Sequence, residues 1–255
     1  MINNIRLLIE YDGTNYHGWQ RQASPHGEEG DAHQTIQGTI EDVLTGIIKQ
    51  PAKVVAAGRT DAGVHAMGQV VHFKTTLQIN ESSWVKAINS LLPADIVVKK
   101  AEYVPEEFHA RFDAKSKVYR YVIINSGCPS PFLRNYVWHM KRPLDIALMR
   151  EGSQYLIGHH DFSSFRASDC SAKSPVRTLD RLEIEEVSGE GIFLFTFEAR
   201  SFLQHMVRNI VGTLVEVGRG KIAPSDIGNI LEKRDRRSAG PIAPPQGLYL
   251  SEVMY

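Results

Sequence analysis

Cysteine is scarce. Only Cys128 and Cys170 occur among 255 residues, enough for one bridge and too few for a disulfide framework. No run of about 18 apolar residues is present, which excludes a helix spanning a bilayer. The opening MINNIRLLIEY has no basic segment followed by a long apolar stretch, so no secretory signal is expected and the cytoplasm is the default compartment. The phosphate-binding G-x-x-x-x-G-K-[ST], the dinucleotide G-x-G-x-x-G after a strand, and the hydrolase G-x-S-x-G are all missing. So are H-E-x-x-H and C-x-x-C. His159 and His160 are adjacent and cannot chelate from one helical face, and His65 and His72 are not at a recognised ligand spacing. Neither a metal nor a cofactor is expected.

Net charge is also absent, with 29 Lys+Arg against 29 Asp+Glu. The balance hides segregation. Between Arg111 and Arg142 stand Arg111, Lys115, Lys117, Arg120, Arg134, Lys141 and Arg142, against Asp113 alone. Between Asp180 and Glu198 the acids Asp180, Glu183, Glu185, Glu186, Glu190 and Glu198 face only Arg181. Such a chain can offer one basic surface to a phosphate backbone, although solvated faces of mixed sign give the same arithmetic. An apolar fraction of 42% is ordinary for a globular protein of one large or two small domains.

The order of elements repeats. Asn4 to Tyr11 reads as a strand stopped by Asp12-Gly13. Thr35 can cap a helix through Ile36, Ile40, Val43, Leu44, Ile47 and Ile48. Lys53 to Gly58 and Gln69 to Thr75 read as strands. Ser82 or Ser83 can cap a helix through Trp84, Ile88 and Leu91, and Asp95 to Val104 is a strand ended by Pro105. In the second half Val118 to Ile124 is a strand and Pro143 starts a helix. Leu179 to Val187 and Ile192 to Ala199 form a hairpin. Leu203 to Val215 traces the apolar stripe of a long helix, another helix runs near Pro224 to Arg234, and Leu248 to Val253 is the last strand. The reading is α+β: two βαββαβ-type halves, 1–105 and 106–255, with mainly antiparallel sheets flanking a central active-site cleft.

Chemistry can lie on Gly58-Arg59-Thr60-Asp61-Ala62-Gly63-Val64-His65, between two strands. Gly58 allows close backbone approach and Gly63 can take a positive φ, holding Asp61 on a short loop beside Arg59. A carboxylate so placed can be a nucleophile or base, or the cap of an ordinary Asx turn. Tyr119 and Tyr121 share one strand face and suit either base stacking or a core. Arg208, on the shoulder of the long helix, can reach solvent or pair with a buried carboxylate.

These segments resemble the tRNA pseudouridine synthase A family. The matches are YDGTNYHGWQ (11–20), GRTDAGVHA (58–66), FHARF (108–112) with KVYRY (117–121), HDFSSFR (160–166), SFLQHMVRN (201–209) and APPQGL (243–248), in family order along nearly the whole chain. The resemblance implies isomerisation of uridine to pseudouridine at positions 38, 39 and 40 of the tRNA anticodon stem-loop, without a cofactor, by a homodimer. It makes Asp61 the catalytic aspartate and Tyr119 the residue stacking on the target base. Arg59 is implied to fill the stack as the base leaves, Arg208 to pair with Asp61, and Leu248 to line the uracil pocket. It leaves open whether Asp61 attacks C1′, adds to C6 or removes the C2′ proton.

One segment departs from the family. Residues 23–33 are longer and more acidic than usual, and Glu28, Glu29 and Asp31 would repel phosphates where the family's loop reaches toward tRNA. Shortening it is expected to change the preference among modified positions more than turnover, checked by mapping product position by position; equal loss everywhere would count against this. Two other classes are compatible with parts of the pattern. A non-catalytic binder built from two RNA-recognition modules would need an RNP1 signature, which neither half carries. A two-carboxylate glycosidase would need a second acid near Asp61, for which only Asp12 or Asp161 can be nominated.

Overall fold

The computed structural model describes residues 2–21, 34–187, 189 and 191–255; the acidic segment 23–33 lies outside them. The chain is mixed α+β with a mainly antiparallel sheet and, among the described residues, five α-helices. It divides into two units, Met1–Lys115 with Leu250–Tyr255, and Ser116–Tyr249. The division falls after Lys115 rather than near Pro105, and the last strand, β11 (Leu248–Met254), belongs to the first unit from Leu250 onward.

In the first unit β1 (Asn3–Tyr11) lies between β3 (His65–Thr75) and β4 (Ile96–Val104), antiparallel to both. The strand expected over Lys53 to Gly58 is only β2 (Val55–Ala56), paired with β3 at His72 and Val71. Alternation along β1 and β3 sends Ile5, Leu7, Ile9, Val71 and Phe73 into the core. Ile36, Ile40 and Leu44 of α1 (Ile36–Ile48) and Trp84 and Ile88 of α2 (Glu81–Asn89) are buried as well. Phe73 and Trp84 pack edge to face at 5.3 Å. Thr35 caps α1 as expected, its Oγ1 accepting from Gly38 N at 3.2 Å. α2 is capped by Asn80 instead of Ser82 or Ser83: Asn80 Oδ1 accepts from Ser83 N at 2.7 Å.

The other face of this sheet explains the later boundary. Residues 105–115 lie on it, with Ala110 and Phe108 joining Leu8, Ala57, Val70, Val253 and Tyr255 in one apolar cluster. Asn4 Nδ2 donates to Phe108 O at 2.9 Å and Ala110 N donates to His72 Nδ1 at 3.1 Å. An Nδ1 that accepts a backbone hydrogen bond belongs to a neutral ring. Burial pushes the His72 pKa down to about 4, with the His109 and Lys74 charges adding to the effect and Asp113 opposing it. The folded protein therefore holds fewer protons here than the unfolded chain, and the stability this group contributes is lost as pH falls from about 6.5 toward 4. Wild type is expected to lose about 2 kcal/mol between pH 7 and pH 5 through this residue. In His72→Asn, whose amide oxygen still accepts from Ala110, that slope should be gone. Urea midpoints at the two pH values read the difference, and equal slopes would refute it.

In the second unit β10 (Ile192–Ala199) lies antiparallel between β5 (Ser116–Asn125) and β9 (Arg181–Val187). The short β6 (Trp138–Met140) runs parallel to β5. A separate ribbon pairs β7 (Gly158–Asp161) with β8 (Val176–Leu179). These three extra strands depart from a second βαββαβ order. The helix expected from Pro143 is α3 (Ile146–Gln154), started by Asp145, whose carboxylate accepts from Ala147 N and Leu148 N.

The long helix is α4 (Met206–Gly218), followed by α5 (Asp226–Lys233). It is not striped: all of its 13 residues except Arg208 are buried. Its second face is covered by residues 236–243. Arg236 Nη2 donates to the buried Asn209 Oδ1 at 3.0 Å, and Gly240 N donates to Thr213 Oγ1 at 2.9 Å. Cys128 and Cys170 are both free thiols.

Candidate active site

The loop carrying Asp61 belongs to the first unit, and its neighbours hold its backbone at Gly58, Thr60 and Gly63. Gln69, fully buried on β3, closes the strand end: its Nε2 donates to Gly58 O at 2.7 Å and its Oε1 accepts from Gly58 N at 3.4 Å. Thr60 turns inward, with Oγ1 2.8 Å from the Tyr11 hydroxyl. Burial pushes the Tyr11 pKa up to about 12 against the opposing hydrogen bonds of Thr60 and Gln69, so this anchor stays a neutral hydroxyl. Thr60 O accepts from Trp19 N at 3.0 Å. With Thr60 committed inward, Arg59 is exposed and Asp61 half-buried on either side of it.

Asp61 O accepts from Val64 N at 3.2 Å across a turn whose third residue, Gly63, has φ +74°. A positive φ there marks a type II turn, which needs glycine. Segment 12–19 clamps the loop from outside. Gly63 N donates to Tyr16 O at 3.3 Å. A Cβ on Gly18, at φ +88°, would stand 2.8 Å from Thr60 O. Gly13 N donates to His65 Nδ1 at 3.1 Å, and Asp12 Oδ1 lies 3.1 Å from the same nitrogen. Asp12 Oδ1 also accepts from Thr14 N and Thr14 Oγ1, at 2.9 and 2.6 Å. Asp61 therefore rides on a backbone fixed at four points, the condition for holding a reacting carboxylate in one place.

Tyr119, Arg208 and Leu248 belong to the second unit. Tyr119 on β5 is 7% exposed and packs edge-on against Phe202 at 5.0 Å. Tyr121 shares its face, fully buried, and its hydroxyl donates to Pro244 O at 2.8 Å. Burial raises the Tyr121 pKa well above its ordinary value although the Arg208 charge opposes the shift. A Cβ on Gly247 would stand 2.7 Å from the Tyr121 ring, so only glycine lets the chain turn there into Leu248, itself buried. Arg208 is tied twice to one residue: its Nε donates to Ala243 O at 2.8 Å and its carbonyl accepts from Ala243 N at 3.1 Å. Arg208 is thus the one opening in a buried helix, with its guanidinium aimed by a loop.

Several supports were not singled out by the sequence. Gln69 lies outside the family motifs, and Phe202 and Ala243 lie inside two of them, but the supporting role of each comes from where the fold brings it. Lys117, counted in the basic stretch, is buried with Nζ donating to Arg200 O at 3.1 Å, so it is withdrawn from that surface. Arg120, Arg134, Lys141 and Arg142 of the same unit are exposed, as are Arg111 and Lys115 of the first.

The family model described as tRNA pseudouridine synthase matches residues 7–113 and 153–255. The chain belongs to this family. A tRNA pseudouridine synthase A of Acetivibrio thermocellus is 45% identical over 254 residues, covering 100% of both chains. Those of Thermoanaerobacter sp. and Alcanivorax borkumensis are 44% and 46% identical over 254 residues, covering 100% of this chain and 100% and 92% of theirs. The matched segments contain Arg59, Asp61, Arg208 and Leu248, whereas Tyr119 and the basic residues from Lys115 to Arg142 lie between them. No helix among the described residues is long and apolar enough to cross a membrane.

Proposed function

We propose that the chain isomerises uridine to pseudouridine in tRNA at positions 38, 39 and 40 of the anticodon stem-loop, as a cytoplasmic homodimer, with Asp61 as the catalytic carboxylate. The observation that carries this is Asp61 itself: a half-buried carboxylate on a loop fixed by Tyr11, Trp19, Gln69 and Tyr16, inside a family match that spans most of the chain. The reaction breaks N1–C1′, turns the uracil and joins C5 to C1′; C5 gives up its proton and the freed N1 ends protonated, so atoms balance as an isomerisation. It is redox-neutral and requires a positioned carboxylate, a face for the base and a cation for phosphate or carboxylate.

Each requirement has its residue. A uridine in a stem must leave its stack, at a cost of a few kcal/mol. Tyr119 and Leu248 offer faces to the extruded base, and Arg59 can enter the space it leaves. Arg208, aimed by Ala243, takes from the family resemblance the role of cation for a carboxylate. Exposed Arg111, Lys115, Arg120, Arg134, Lys141 and Arg142 supply phosphate contacts. Asp61 acts by attack at C1′, by addition at C6 or by removal of the C2′ proton; all three use the same fixed carboxylate.

The glycosidase reading loses its second acid. Asp12 is bound up with Thr14 and His65. Burial raises the Asp161 pKa, but hydrogen bonds from Ser163 and the charges of Arg234 and Arg166 outweigh it and hold the carboxyl below its ordinary range, opposite to what a general acid needs. The deciding experiment maps pseudouridine on unmodified tRNA by chemical blocking and primer extension, with chelator present and no cofactor added. Product at positions 38 to 40 supports the reading. RNA binding without product would replace it with the binding-module alternative.

A further inference from the structure

Residues 105–113 form a connection built with unusual care for a surface loop. Phe108 N donates to Pro105 O at 3.0 Å, and Phe112 N and Asp113 N both donate to His109 O, at 3.1 and 3.0 Å. The His109 ring turns back so that its Nδ1 accepts from Arg111 N and Phe112 N, each at 3.2 Å. The Asp113 carboxylate accepts from His109 N at 2.8 Å. Beneath the turn the buried Ala110 is held from both sides, its N–H by His72 and its carbonyl by the Tyr255 hydroxyl at 2.7 Å.

This fixed turn displays an aromatic ring. Phe112 is 67% exposed although its ring stacks on His109 with centroids 4.2 Å apart and planes 25° from parallel. One face is backed by the imidazole, and the exposure comes from the rest of the ring. The Arg111 guanidinium lies 5.8 Å from the Phe112 centroid and is itself exposed, as is Lys115. Of the acids in the segment, Glu106 pairs with Lys74 at 3.7 Å, Asp113 is engaged in the turn, and Glu107 is exposed. A planar π-face with a flat ring behind it and an exposed guanidinium beside it suits a nucleobase with its phosphate, because stacking and charge are both supplied and no hydrogen-bond code is needed. An aliphatic partner would use neither the stacked imidazole nor the guanidinium.

We propose that Arg111 and Phe112 form a stacking platform for an unpaired base of the RNA substrate, Phe112 taking the base and Arg111 the adjacent phosphate. This rests on the function proposed above and adds a contact outside the catalytic set. The test compares wild type with Phe112→Ala, Phe112→Leu, Phe112→Trp and Arg111→Gln on an anticodon stem-loop and full tRNA. Phe112→Ala is expected to raise Kd and KM about tenfold, the loss falling on KM rather than kcat and the melting temperature holding. Trp should restore binding and Leu should not. Arg111→Gln should reduce the slope of log K against log salt by about one, whereas the Phe112 variants should keep it.

A scan of abasic sites through the loop supplies the partner. At one position removal of the base should weaken wild type about tenfold and leave Phe112→Ala no weaker than before, because the two losses are the same contact. Leu matching Trp, or additive losses at every abasic position, would overturn the platform. A smaller mass for Phe112→Ala in light scattering, alongside weaker binding, would reassign the ring to a protein interface and also overturn it. If wild type makes pseudouridine and Phe112→Ala equals it, the platform alone fails; if wild type neither binds RNA nor forms product, the proposed function fails with it.

Discussion

Asp61→Asn is expected to lower pseudouridine formation by about 10^3-fold or more while unmodified tRNA still binds. The substitution keeps the shape of the side chain and removes its ability to attack or to accept a proton. The turn should survive, because Val64 bonds to the Asp61 main-chain carbonyl and Gly63 supplies the positive φ, neither of which depends on the carboxylate. Single-turnover assays at saturating enzyme separate chemistry from binding, and the melting temperature reports the fold. Activity within about tenfold of wild type would mean that the reacting carboxylate lies on another loop, since general acid–base or nucleophilic roles are worth more than that. Loss of activity together with loss of the fold would instead mark Asp61 as a turn residue.

Gly212→Ala should cost about 3 kcal/mol or more of stability, the largest structural effect expected from adding one methyl group. A Cβ at this place in α4 would overlap the Pro241 carbonyl oxygen and stand 2.9 Å from the Pro241 carbonyl carbon and 3.1 Å from Ala243 N. Backbone cannot move aside as a side-chain tip can, so residues 240–243 must lift away. Ala243 leaves with them, and Arg208 loses the acceptor that aims it. Both melting temperature and kcat should therefore fall. Gly46→Ala provides the opposite sign: Gly46 is exposed inside α1 with nothing within 4 Å of the new methyl, and the gain in helix propensity should stabilise by about 0.5–1 kcal/mol. If Gly212→Ala melts with wild type, the strap over α4 is looser than its close approach implies.

What could be read before the structure was whatever a repeating side-chain pattern or a glycine turn writes into the sequence. β1, α1, β5, the β9–β10 pair and β11 all follow from alternation, helical spacing or capping. β6, β7 and β8 were missed because strands of three or four residues show no period. The full burial of α4 was missed for a different reason: its second face is covered by residues 236–243, a Pro- and Gly-rich segment whose hold is mostly through backbone carbonyls and amides. The same reason hides the supports of the candidate site. Asp61, Arg59, Tyr119, Arg208 and Leu248 stand out as motif residues, but the Ala243 carbonyl under Arg208 and the Gly58 amide on Gln69 leave no mark in residue type. Lys117 shows the converse, a charge that reads as surface and is spent on the Arg200 carbonyl inside.

The path of β11 bears on the order in which a ribosome delivers this fold. Residues 2–115 emerge first, yet beyond the two residues of β2 their sheet lacks the strand beside β3 until residues 250–254 arrive. Gly68 of β3 waits for Ser251, so close that a Cβ there would overlap its carbonyl oxygen. Lys115 N waits for Met254 O, to which it donates at 2.8 Å, and Ala110 O waits for the Tyr255 hydroxyl. During the intervening 134 residues of the second unit, Ser116–Tyr249, β2 covers β3 only near Val70 to His72, and the stretch around Gly68 stays an open edge. Open edges are where nascent chains find wrong partners. The protein born first is thus finished last, and a ribosome stalled anywhere in the second unit would hold out an unfinished sheet.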